Sequence, residues 1–283
     1  MPEASLPDRA LIQVSGADAE HFLHNLVTTD IAALPQGEAW PGALLTPQGK
    51  ILFDFLVWRD GDGFVLDTSV GQREALVKRL LMYKLRAAVE ISPLEPTGVT
   101  VGWGEDAGRD LGGTGVVDHR FAVAGIRVTR KPGGAGAGSS QGYHALRVLS
   151  GIAESCLDYA LQDAFPHDVL FDLAGGVSFR KGCYVGQEVV SRMQHRGTAR
   201  RRLVLVTADT ALPATGAEIL AGGKPIGTLG SVAGNRGLAI VRIDRAGEAI
   251  AAGTAIRADE TELSLQLPGW SGLAFPSSAA EEG

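Results

Sequence analysis

Apolar residues recur at two spacings along the 283-residue chain, and the shift between them predicts its elements. Short or alternating apolar runs mark strands at Leu11–Val14, Gly42–Leu45, Ile51–Trp58 and Phe64–Asp67. Thr46-Pro47-Gln48-Gly49-Lys50 joins the second to the third, and Arg59-Asp60-Gly61-Asp62-Gly63 turns the third into the fourth, giving an antiparallel meander. Ser15, with Asp18 three residues on, offers a capping-box-like start to a helix carrying Phe22, Leu23, Leu26 and Val27 on one face. A second helix is predicted over Gln72–Tyr83, with Leu76, Val77, Leu80 and Leu81 as its buried stripe. Strands return near Ala88–Ile91 and Val99–Trp103. Helices laid over an antiparallel sheet indicate the α+β class.

Lys131–Gly142 is dominated by Gly and Ser and reads as a flexible loop or a subdomain joint. Helical spacing follows at Ala145–Leu149 and again at Gln187–Met193. Beyond Arg202 the period changes to short strands: Leu203–Val206, Glu218–Leu220, Pro225–Leu229, Gly237–Arg242, Thr254–Arg257 and Thr261–Leu265. Their close spacing predicts a small β-barrel over 203–275, after a first region of 1–202 and before a loose tail at Pro276–Gly283.

Hydrophobic residues make up 45% of the chain and charged residues 20%, the profile of a globular protein. No apolar run approaches the ~18 residues that would predict a membrane span. The stretch Met1–Arg9 has no apolar h-region, so the expected location is cytoplasmic. Cys156 and Cys183 are the two cysteines, too few for a disulfide framework, a zinc site or an iron-sulfur cluster of the chain's own. Cys156, near Leu157 and Leu161, is expected in the core of a helix; His21 and His24 lack the further ligands of a metal site. The net charge of −6 argues against a nucleic-acid coat, but Ser178–Arg202 holds seven basic residues against one acid, Glu188. A solvated helix face explains such a run as well as an anionic ligand does.

Lys181-Gly182-Cys183-Tyr184-Val185-Gly186-Gln187-Glu188 gathers a thiol, two glycines, an amide and a carboxylate at the mouth of a predicted helix. Gly182 and Gly186 permit backbone conformations closed to other residues, and Cys183, beside Arg180 and Lys181 and ahead of the helix dipole, should ionise readily.

This octapeptide resembles the KGCYxGQE signature of the YgfZ-type folate-binding proteins, relatives of the glycine-cleavage T-protein, an aminomethyltransferase. Gly175-Gly176-Val177-Ser178-Phe179, the hairpin Leu45–Asp54 and the stretches Gly227–Ser231 and Leu238–Arg242 are also similar to that family. The resemblance implies a ring of two interleaved α+β subdomains and a C-terminal barrel. It also implies a tetrahydrofolate ligand and a role with iron-sulfur enzymes, including tRNA-modifying ones, or with their assembly proteins.

Residue by residue, the resemblance makes Cys183 the functional thiol and assigns Lys181, Tyr184, Gln187 and Glu188 to the ligand. Asp54 matches one of two adjacent acids of T-proteins, the other being replaced by Phe53. Asp168, in Pro166-His167-Asp168, matches a pterin-reading carboxylate one methylene longer. Arg202, or its neighbours Arg200 and Arg201, matches a folate-contacting arginine. The alternatives are a folate-dependent aminomethyl or one-carbon transferase, against which Phe53 weighs, and an RNA-binding module, against which the sparse aromatics weigh.

Overall fold

Period-two patterning builds nine strands in the N-terminal half: β1 (Glu3–Leu6), β2 (Arg9–Ser15), β3 (Glu38–Leu45), β4 (Ile51–Asp60), β5 (Gly63–Ser69), β6 (Glu90–Leu94), β7 (Val99–Trp103), β8 (Val116–Asp118) and β9 (Val128–Pro132). The computed structural model describes residues 2–95, 97–104, 115–134 and 138–276. Among these, the nine strands form one sheet in the order β1-β7-β9-β8-β3-β4-β5-β2-β6, antiparallel except for the pairing of β3 with β8. The sheet belongs to the first of two units, Met1–Tyr143 with Phe171–Val189; the second comprises His144–Leu170 with Val190–Gly283.

Side chains alternate across β4. Phe53, Phe55 and Val57 enter a core with Ile12, Leu44 and Leu66, so Asp54 and Leu56 take the opposite face. Helices α1 (Ala19–His24) and α2 (Val70–Lys84) close that core through Phe22, Leu23, Leu76 and Leu80. Leu81, expected in the α2 stripe, is exposed instead, one position past the face that meets the sheet. The expected capping box is also absent. Ser15 ends β2, and the Asp18 carboxylate accepts from the Ala88 amide at 2.7 Å, tying two loops together. Leu26 and Val27 lie beyond the six-residue α1, and Val27 bridges to Leu44. The expected loop over 131–142 ends β9 at one side and starts a helix at the other; residues 135–137 lie outside the described residues, as do 277–283 of the expected tail.

Three further helices are α3 (His119–Ala122), α4 (Ser140–Ser150) and α5 (Gln187–Arg196). Among the described residues no helix is long and apolar enough to cross a membrane. The second unit holds β10 (Arg201–Thr207), β11 (Glu218–Ala221), β12 (Lys224–Ala233), β13 (Arg236–Arg242), β14 (Ile256–Ala258), β15 (Thr261–Glu262) and β16 (Ser264–Gln266), ordered β15-β14-β11-β12-β13-β10-β16 with antiparallel pairing. Register shifts at Ile219/Leu220 and Leu229/Val232 bend β11 and β12, which helps the sheet curl over Val204, Ile219, Leu229 and Val241. Helix α6 (Ile243–Ala251), absent from the sequence expectation, adds Ala246 and Ala249 to that core.

A buried guanidinium anchors each unit. In the first, Arg130 of β9 donates to Asp67 of β5 at 2.6 and 2.9 Å and to Asp118 at 3.2 Å, although β8, β3 and β4 separate the two strands in the sheet. The sheet therefore curls until its second face meets itself, and Arg9 and Arg120 complete the charge pairing around the same carboxylates. In the second, Arg147 of α4 donates to Asp158, to the Ile152 carbonyl and to Ser231 of β12. Removing one partner from such a cluster strands a buried charge. Arg130→Ala, which takes a partner from both Asp67 and Asp118, is expected to cost about 3–5 kcal/mol in urea unfolding.

Candidate functional site

Two glycines of the sequence motifs pack on each other. Gly186 has φ +79°, and a Cβ there would stand 2.5 Å from the Thr46 carbonyl oxygen and 3.1 Å from the Gly49 Cα. Gly49, also at φ +79°, would meet the Val189 side chain at 3.0 Å. The Thr46–Lys50 turn is closed by Thr46 N donating to Lys50 O at 2.8 Å and Gly49 N to Thr46 O at 2.9 Å. The hairpin and the octapeptide thus form one packed element. Gly182 differs from the expectation, because its φ is not positive and a Cβ there would meet nothing within 4 Å.

Along the octapeptide, alternate stretches turn inward and outward. Lys181 is buried, and its ammonium donates to the carbonyls of His24, Val27 and Thr29 at 2.5, 2.5 and 2.9 Å. Three donors meet three acceptors, including the last residue of α1, whose terminal carbonyls have no helical partner. Burial pushes the ammonium down to about 8, while Asp30 acts to raise it. Its nitrogen also sits 5.0 Å from the centroid of the Tyr184 ring. Tyr184 is buried too, which pushes its phenol up to about 12, and its hydroxyl has no hydrogen-bond partner among the described residues. Cys183, between these two, is exposed and reduced, four residues before the start of α5. Gln187 opens α5 by donating its amide to the Tyr184 carbonyl at 3.2 Å; Glu188 in the same turn is exposed and favourably placed for the helix dipole.

Asp54 is half-buried, and its carboxylate accepts from Gln72 Nε2 of α2 at 3.0 Å. Phe53 packs in the hydrophobic core. In the second unit, Asp168 is 2% exposed and accepts from the Phe165 amide at 3.1 Å, closing the 3-10 turn Pro166–Val169, with Arg201 Nε at 3.6 Å. Arg202 is buried and donates to the His167 carbonyl of that turn at 2.8 Å. Asp168 and Arg202 are therefore brought together on one turn, as Lys181 and Tyr184 are around Cys183. Of the basic run, Arg180, Arg192, Arg196 and Arg200 are exposed.

The core helix expected for Cys156 is replaced by a turn in which Cys156 is exposed at φ +66°, its amide donating to Tyr159 O. Asp158, two residues on, is drawn to Arg147 and the Ser231 amide, which excludes a helix through this stretch.

Lys181→Met would leave two buried carbonyls and one half-buried carbonyl without this donor and is expected to destabilise the chain by about 3 kcal/mol. Its folded pKa, about 8, lies below the usual 10.5, so between those values the unfolded chain binds more protons and this group makes stability rise with pH. Urea unfolding of both proteins from pH 7 to 10 should show a flatter slope for Lys181→Met.

Residues 200–273 match the family of the CAF17 C-terminal beta-barrel domain. The mitochondrial iron-sulfur cluster assembly factor IBA57 of Mus musculus is 31% identical over 94% of this chain and 84% of its own length. The Homo sapiens protein of that name gives the same figures, and the Pyricularia oryzae homolog is 31% identical over 85% of this chain and 71% of its own. Among solved structures, the glycine cleavage system aminomethyltransferase T of Bartonella henselae shares the fold, with a TM-score of 0.72 over 97% of this chain and 87% of that one at 19% identity. The α+β, T-protein-like architecture with a C-terminal barrel is the one the sequence predicts. The expected cytoplasmic location is overturned, because these relatives are mitochondrial proteins; a chain with two cysteines fits any reducing compartment, so the count could not discriminate. Coverage and identity over nearly the whole sequence place the chain in the family of the iron-sulfur cluster assembly factor IBA57.

Proposed function

We propose that this chain is a tetrahydrofolate-binding accessory protein for the assembly or repair of iron-sulfur enzymes, tRNA-modifying ones among them, with Cys183 as its working thiol. The observation that carries the reading is the exposure of Cys183 between two buried anchors, Lys181 and Tyr184. A thiolate is a ligand for iron and a nucleophile toward sulfur, and a fixed loop presents it without an ordering cost. One cysteine cannot complete a cluster's coordination, so the remaining ligands come from a partner, consistent with the names of the curated relatives.

Support for the folate part lies in the shared fold and in the buried Tyr184 hydroxyl, an orphan that a bound ligand would satisfy. Asp54 on β4 and Gln187 and Glu188 at the start of α5 are the companion ligand-binding groups. In the second unit, Asp168 and Arg202 are each bonded at the 166–169 turn. Binding is favoured over transferase turnover, because Phe53 lies in the core and β4 offers no second acid beside Asp54.

Calorimetric titration with tetrahydrofolate under reducing conditions is expected to give a Kd on the order of 1 μM, raised about tenfold by Tyr184→Phe or Asp54→Ala. Absence of heat would remove the folate part. In cells lacking the native protein, Cys183→Ala should fold normally yet fail to restore iron-sulfur enzyme activity; full restoration would remove the thiol's role.

A further inference from the structure

A pocket in the first unit, on the core-facing side of β3, lies outside both the octapeptide and the folate proposal. Trp40 forms one of its walls and is fixed from three directions. His119 stacks on the indole with ring centroids 3.8 Å apart and planes 14° apart. Glu38 Oε2 accepts from the indole Nε1 at 2.8 Å and lies 3.4 Å from His119 Nδ1. Gly175 runs so close to the ring that a Cβ there would be 2.6 Å from Cζ3. This is strong fixation for a half-buried tryptophan at the rim of a core.

A cavity of about 280 Å³ opens beside the indole, lined by Asp30, Val177, Ser178, Phe179 and Arg180. Its opposite wall is pinned as well. Ser178 N donates to Thr28 O at 2.9 Å, Thr28 Oγ1 donates to Gly176 O at 2.6 Å, and Ser178 Oγ accepts from the Lys181 amide at 3.2 Å. Both walls are therefore set before any ligand arrives.

The lining specifies a chemistry. One face of Trp40 is taken by His119, and the rest of the indole together with Phe179 offers apolar surface, which suits a planar ring. Arg180 is exposed and forms no ion pair among the described residues, leaving its guanidinium for a carboxylate. Asp30 Oδ1 accepts from the Ala33 amide at 3.2 Å and lies 3.5 Å from His24 Nδ1, but the carboxylate is one-third exposed and Oδ2 can accept from a ligand donor. A cationic ligand is disfavoured by Arg180, and a purely anionic one by Asp30. The volume falls just below the usual range of roughly 300–1,000 Å³ for drug-sized ligands, which admits one ring system with short substituents and excludes a whole folate.

We infer that this pocket binds a small planar aromatic acid bearing an amino group, with the ring against Trp40 and Phe179, the carboxylate on Arg180 and the amino group on Asp30. The inference does not rest on the folate reading.

Titrating the full chain with the aminobenzoate isomers, benzoate and aniline, by calorimetry and tryptophan emission, tests it. At least one aminobenzoate should bind with a Kd below about 1 mM, and benzoate and aniline should each bind about tenfold more weakly or worse. Arg180→Ala, at an exposed position, should weaken the best isomer by about tenfold while leaving the unfolding curve in place, and Asp30→Asn should weaken it by a similar factor. Failure of every isomer to bind at millimolar concentration would overturn the inference. So would an affinity that Arg180→Ala leaves unchanged.

Discussion

The burial of one ammonium group organises the surroundings of the octapeptide. Lys181 draws the end of α1 and the strand-like stretch after it toward residues 178–184, because three carbonyls converge on its nitrogen. An isolated buried cation would be strongly unfavourable, so the carbonyls and the Tyr184 ring have to stay where they are. That constraint forces Gly182 and Cys183 outward. The thiol's exposure follows from its neighbours' burial rather than from any feature of the cysteine.

The same logic governs the carboxylates. Asp168 matches a ligand-reading position by sequence, yet a 3-10 turn leaves amides without partners, and the nearest acceptor is its own carboxylate. Arg202 likewise meets the His167 carbonyl of that turn. Residue type announces what a side chain can bond; it does not announce that the backbone nearby has already claimed it.

Much of the fold was legible because its signals are local. The β3–β4 turn, the α2 boundaries and the barrel strands follow from turn residues and from periods of two or 3.6. The octapeptide was legible as a string. What escaped depends on distant partners: Arg130 and Asp67 lie 63 positions apart, and nothing around Val116–Asp118 or Val128–Pro132 reveals that those strands fold back over β5. Cys156 was misplaced for the same reason, since Asp158 answers to Arg147 and Ser231 rather than to a helical neighbour. The Trp40 pocket draws on residues 30, 40 and 175–180, which no window along the chain unites.

The contact of Gly186 with Gly49 makes the hairpin turn and the octapeptide a single unit of inheritance. A side chain added at either position collides with the other segment, so each glycine is held in place by a residue more than a hundred positions away. Transplanting the octapeptide alone into another scaffold would carry over its letters and lose its shape. The Thr46–Lys50 turn would have to travel with it.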